Sequence, residues 1–127
     1  MNACTRLATV VIVACPLLAG AQDPPGNPAA GKAVFLQNCA LCHGPEGKGD
    51  GPAASGFNPR PANFTEARRL ATPEEKQVRI VTNGGASEKL SPIMPAFGEV
   101  LSPQQVRDAV AFVREHIQAP ATSLSTK

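Results

Sequence analysis

Residues 39–52 read CALCHGPEGKGDGP. Cys39 and Cys42 stand three positions apart, His43 follows at once, and glycine and proline dominate the run beyond. Two thiols and an imidazole so close together form a donor set. What they hold depends on the compartment, on the other ligands the chain offers, and on the scaffold it can build.

The start of the chain speaks to the compartment. Arg6 precedes a largely apolar run at residues 7–18, and Ala19-Gly20-Ala21 precedes the polar QDPPGNP. A basic start, a short apolar stretch and an A-x-A site describe a secretory signal peptide, residues 1–21, cleaved after Ala21. The apolar run falls short of the roughly 18 or more residues a spanning helix needs. An uncleaved anchor therefore fits less well, and no transmembrane segment is expected in the mature chain. Lipoprotein processing at Cys15 is disfavoured by Pro16 and the apolar Leu17-Leu18 that follow it. Cleavage removes Cys4 and Cys15, leaving Cys39 and Cys42 as the mature thiols in an oxidising space, the bacterial periplasm.

Residues 22–127 suit one domain. With no Trp or Tyr and five Phe, the chain has poor material for a core of that size, and a large apolar cofactor would supply what is missing. Twelve Lys and Arg against ten Asp and Glu leave the charge nearly balanced, which gives no support for nucleic-acid binding or a basic membrane surface.

Three helix starts repeat one signal, a capping residue followed by proline. Asn27-Pro28 opens the first. Thr72-Pro73 opens the second, with Glu75 completing a capping box and Gly84-Gly85 as the stop. Ser102-Pro103 opens the third, again with a capping box through Gln105. In that last segment Val106, Val110, Val113 and Ile117 form one apolar stripe, flanked by Ala109 and Phe112. A short helix is expected over residues 65–71. No alternating strand appears, VRIV being the nearest candidate, and no repeat is visible. Two Pro/Gly-rich connections, 44–63 and 84–101, exceed the usual loop length, as ordered loops do when they serve a function. The expectation is an all-α domain over residues 28–118, three to five helices with long loops, preceded by a tail at 22–27 and followed by a flexible tail at 119–127.

Four readings of Cys39-x-x-Cys42-His43 compete. Structural zinc needs four ligands, and beyond the motif the chain offers only His116. A thioredoxin-like pair belongs beside a βαβ unit, for which strands are lacking. A plain disulfide leaves His43 without a purpose. Covalent c-type haem uses all three residues: two thioethers to the porphyrin and an imidazole on the iron. One helical turn between Cys39 and Cys42 suits the two vinyl groups. The iron then needs a second axial ligand. Met94 is the only methionine besides Met1; Pro95 excludes it from a helix and Pro92 stiffens its approach, so a rigid extended loop presents its thioether. Its ordinary alternative is a core filler. His116 is the rival ligand, but the last turn of a helix favours an imidazole through the dipole alone. The segment GPEGKGDG lacks the order of a phosphate loop and reads as backbone passing close to the porphyrin edge.

The chain resembles class I c-type cytochromes, and in particular the small single-haem domains related to the cbb3-type oxidase subunit III cytochrome c family. Gly31 and Phe35, CALCHG, GKGDGPAA, PRPANFT, IVTNGG, MPAFG and LSPQQVRDAVAFVREHI carry the likeness in order along nearly all of the mature chain. CxxCH alone is shared by many unrelated proteins, whereas its combination with Met-Pro-x-Phe and a terminal amphipathic helix is far more specific. Asn63 departs from the pattern, since relatives often carry an acidic residue there. The resemblance implies a cytochrome c fold wrapped around one covalently bound haem, with first and last helices crossing at Gly31. It also implies that the carbonyl of Pro59 or Pro61 accepts the Nδ1 proton of His43.

Iron held by His43 and Met94 has no open position, so the expected role is single-electron transfer between other redox proteins rather than catalysis. The chain would act as a monomer or as the electron-transfer subunit of a larger dehydrogenase or oxidase. A labile Met94 would instead suit a haem sensor or a peroxidase-like protein.

Overall fold

The structure, a computed structural model, describes residues 23–119. The expected signal peptide and most of the C-terminal tail lie outside the described residues. The described residues contain five α-helices, two short 3-10 turns, one π-helical segment and no strand.

Helix α1 spans Pro28–Asn38, where the Asn27 side chain caps it by accepting from the backbone N–H of Ala29 and Ala30. Gly31 and Phe35, one turn apart, are its buried residues. Helix α5 spans Pro103–Phe112 and starts with the expected reciprocal capping box between Ser102 and Gln105. The two cross where a methyl on Gly31 would run into the Asp108 carbonyl, so only glycine permits this approach. Phe35 then meets Phe112 at a ring-centroid distance of 5.4 Å and Phe64 at 6.5 Å, and with Val113 and Ile117 these rings form the core.

Residues 23–27, expected as a tail, lie along α5. The Asn27 N–H donates to the buried Asp108 carboxylate at 2.7 Å, Gln104 donates to the Pro25 carbonyl at 3.1 Å, and Asp23 pairs with Arg107 at 3.3 Å.

Beyond Phe112 the helix widens into π-helical turns, Val113–Gln118. Bonds of i→i+5 type bring residue 118 over residue 113. Ile117 and Gln118, adjacent in sequence, are both buried there.

Helix α2 is a single turn, Ala40–His43, and α3 spans only Ala67–Leu70 inside the expected 65–71 segment. Helix α4 spans Glu74–Asn83 and ends at Gly84-Gly85 as expected, but its start differs from the sequence reading. Pro73, not Thr72, is the capping residue, and no side chain caps the helix. The Thr72 carbonyl is instead a hub, accepting from Gln77 at 3.3 Å and Arg114 at 3.0 Å. Those bonds dock the start of α4 onto the end of the last helix.

Candidate haem site

A cavity of about 740 Å³ opens between these elements, within the range of pockets that enclose a sizeable organic group. Cys39, Cys42, His43 and Met94 all line it, while His116 does not. His116 is exposed, near Glu115 and the Phe112 ring.

Helix α2 and its capping residue Cys39 supply three of the four. The Cys42 and His43 N–H groups both donate to the Cys39 carbonyl, which brings the two sulfurs and the imidazole within one turn. Both thiols are free. Burial, then the neighbouring Cys42, pushes the Cys39 thiol up to about 11. The glycine-rich loop folds back over α2: Gly49 N–H donates to the His43 carbonyl at 2.8 Å and Gly51 N–H to the Cys42 carbonyl at 3.1 Å. Gly49 lines the cavity at φ 74°, with the Pro61 carbonyl where a side chain would stand. The loop therefore both caps the turn and passes along the cavity, as read from the sequence.

His43 is 8% exposed and stacks on Phe64 at 4.6 Å and 18°. Its Nδ1 lies 3.1 Å from the Ala62 carbonyl. A carbonyl only accepts, so Nδ1 carries the proton and Nε2 keeps its lone pair. The expectation of Pro59 or Pro61 as acceptor is corrected: the Pro61 carbonyl is turned against Gly49, and the next carbonyl along meets the ring. Burial lowers the His43 pKa; the Ala62 bond opposes this and the Arg69 charge adds to it.

Met94 comes from the loop after α4. It is half-buried on the expected loop, where its N–H closes a turn by donating to the Ser91 carbonyl at 3.3 Å, so the loop is less extended than expected. The loop hangs from the end of α4. Gly85 N–H donates to the Met94 carbonyl at 3.0 Å, Phe97 N–H to the Val81 carbonyl at 2.9 Å, and Gly98 N–H to the Thr82 carbonyl at 3.0 Å. Ile80 and Val81 on α4 line the same cavity and are only half-buried.

Two lining residues were not legible as site residues. Gln118 reaches the wall through the π-helical turns, and Arg69 through the short α3. Arg69 could have been suspected from the sequence, where Arg68 and Arg69 adjoin a single nearby acid, Glu66.

The residues fit a haem. An apolar hollow holds a thiol pair and an imidazole on one element and a thioether on another, with a buried guanidinium nitrogen, Arg69 Nε, lacking a partner. The family model for cytochrome c matches residues 28–116. The chain belongs to the cytochrome c family. Its cofactor is one covalently attached haem c, and its class is the single-haem class I. Cytochrome c6 of Rippkaea orientalis is 31% identical over 117 residues, covering 90% of this chain and 96% of that protein. The cbb3-type cytochrome c oxidase subunit FixP of Azorhizobium caulinodans is 34% identical over 99 residues, 76% of this chain. FixP of Sinorhizobium medicae is also 34% identical, over 101 residues. The chain spans about a third of the FixP length, 30% and 31%. Among solved structures, the KustC0563 c-type cytochrome superposes with a TM-score of 0.54 at 29% identity, covering 66% of this chain and 93% of that one.

Proposed function

We propose that the chain is a soluble periplasmic cytochrome c that carries single electrons between other redox proteins. Cys39 and Cys42 would hold the haem by thioethers, and His43 and Met94 would ligate its iron. The observation that carries this reading is the convergence of those four residues on one cavity, with His43 Nδ1 already engaged at Ala62.

When bound, the haem supplies a one-electron couple between ferric and ferrous iron. His43 offers Nε2 in a fixed orientation, and its Nδ1–H bond makes it the more basic ligand. The soft thioether of Met94 favours the ferrous state and raises the potential. With the iron held by His43 and Met94, no position would be left for a substrate, and the role would be that of a carrier. Among the described residues no helix is long and apolar enough to cross a membrane.

The test combines spectrum, reactivity and mass. The ferric protein should show the Met–iron charge-transfer band, and the reduced protein should not bind carbon monoxide rapidly at neutral pH. Its intact mass should equal residues 22–127 plus one haem. Rapid carbon monoxide binding would overturn the carrier reading in favour of a sensor or peroxidase-like role.

A second reading follows from the FixP likeness, since those relatives are oxidase subunits of which the matched part is about a third. On it, the chain is the electron-transfer subunit of a larger redox complex. Size-exclusion chromatography of native material decides: a stoichiometric complex supports the subunit, and a lone chain supports the carrier.

A further inference from the structure

The loop that carries Met94 leaves helix α4 at Gly84 and opens with a 3-10 turn, Gly85–Glu88. Between Gly84 and Met94 the chain holds one acid, Glu88. Its carboxylate turns back onto α4. One oxygen accepts from Arg79 Nε at 2.7 Å, and the other lies 3.8 Å from Lys76 Nζ. Lys76 and Arg79 stand three apart, on one face of the helix. The haem cavity takes Gln77, Ile80 and Val81 from α4 instead, so this cluster lies off its wall.

The two sides of this loop are held by different means. Beyond Met94, Phe97 and Gly98 bond back to α4 through their backbones. Before it, Met94 hangs from the 3-10 turn itself, since Gly85 N–H donates to the Met94 carbonyl. Ala86, Ser87 and Lys89 are exposed, so the turn has little apolar burial to fix it. Lys89 closes it at φ 58°, a left-handed conformation that a residue with a side chain keeps only where its surroundings enforce it. Ser87 donates within the turn, to the Gly84 carbonyl at 2.7 Å, whereas Glu88 reaches across to α4.

We propose that Glu88 is a positioning residue for Met94: clasped by Arg79 and Lys76, it sets the 3-10 turn against α4 and so keeps the thioether in place for the iron. The inference rests on Met94 as an axial ligand. Releasing Glu88 lets the turn move off α4, and Gly85 carries the Met94 carbonyl with it. The clasp thereby helps keep the sixth position closed, which is what separates a carrier from a haem that takes up outside ligands. An ion pair this exposed adds little to the stability of the whole fold. It acts instead on the local opening that frees the iron. Salt screens it, so the hold weakens as ionic strength rises.

The experiment titrates the ferric, haem-loaded protein with imidazole, which competes with Met94, and follows the Met–iron charge-transfer band. Glu88→Gln and Arg79→Gln should each bind imidazole about two- to fivefold more tightly, the range an exposed ion pair commands. Lys76→Gln, at the longer distance, should do less. Arg79→Lys, which keeps the charge, should also change less than Arg79→Gln. At about 1 M salt, where the screening length is about 3 Å, the variants and the unsubstituted protein should converge. Asp23→Asn removes a different ion pair, the one to Arg107, and should leave imidazole binding unchanged. Unchanged binding in both Glu88→Gln and Arg79→Gln overturns the proposal. So does an equal tightening in Asp23→Asn, which would reduce the clasp to general stability. Absence of the Met–iron band from the unsubstituted protein would defeat the axial assignment and the clasp with it. A band present there, with imidazole binding unmoved in the variants, defeats the clasp alone.

Discussion

His43 donates its Nδ1 proton to the Ala62 carbonyl at 3.1 Å. The two residues lie 19 apart in sequence, so the glycine-rich loop and the Pro-Arg-Pro segment together set the orientation of the imidazole. That proton is shielded as well, because the ring stacks on Phe64 and is 8% exposed. In the reduced protein the Nδ1–H resonance should therefore exchange slowly with water by NMR. Exchange as fast as in a free imidazole would mean the bond is not held in solution.

Met94→Ala should leave the haem covalently attached, since Cys39, Cys42 and His43 are untouched. The Met–iron charge-transfer band should vanish. The potential should fall by on the order of 0.1 V, a fraction of the ~0.8 V that axial ligands command. His116→Ala should change neither, because that side chain is exposed outside the cavity. The opposite pattern in optical spectra and redox titrations would exchange the two assignments.

Gly31→Ala places a methyl against the Asp108 carbonyl in the α1–α5 crossing. Neither backbone can give way without opening the Phe35–Phe112 contact, so the expected loss is about 1–3 kcal/mol or more. Gly56→Ala, where a methyl meets open space, should cost little. Denaturant midpoints of the two haem-loaded variants make the comparison, and equal midpoints would mean the crossing is looser than described.

Replacing Cys39 or Cys42 singly by Ala should leave one thioether and a lower yield of haem-loaded protein. Replacing both should leave a largely unfolded chain, because the cavity of about 740 Å³ is too large for the remaining side chains to collapse into. Mass after denaturation reads the attachment, and far-UV circular dichroism reads the fold.

The helices were legible where local chemistry specified them alone. Asn27-Pro28 and Ser102-Pro103 carry their own caps, and the stripe from Val106 to Ile117 is periodic. Cys39, Cys42 and His43 were legible because their spacing is itself the signal, and Met94 because the chain offers so few alternatives. What escaped the sequence depends on tertiary register. Thr72 looks like a cap, yet its carbonyl is drawn to Gln77 and Arg114. Which carbonyl meets His43 is decided by how Pro61 rests on Gly49. Gln118 reads as a helix-end polar residue, yet it is buried and lines the cavity.

The clasp between Asn27 and Asp108 joins residues 81 apart, and this has a bearing on how the chain folds. The first and last helices must find each other across nearly the whole domain, and the entropy of closing such a loop must be met before the contact rewards it. On the proposed ligation, a haem fixed at Cys39 and Cys42 and anchored at Met94 divides that one long loop into shorter ones. Its contribution would then lie partly in the unfolded ensemble, which becomes less free to wander, much as a cross-link acts. Attachment would therefore speed the meeting of α1 and α5 as well as strengthen it, making assembly of this domain a sequence of short searches instead of one long one.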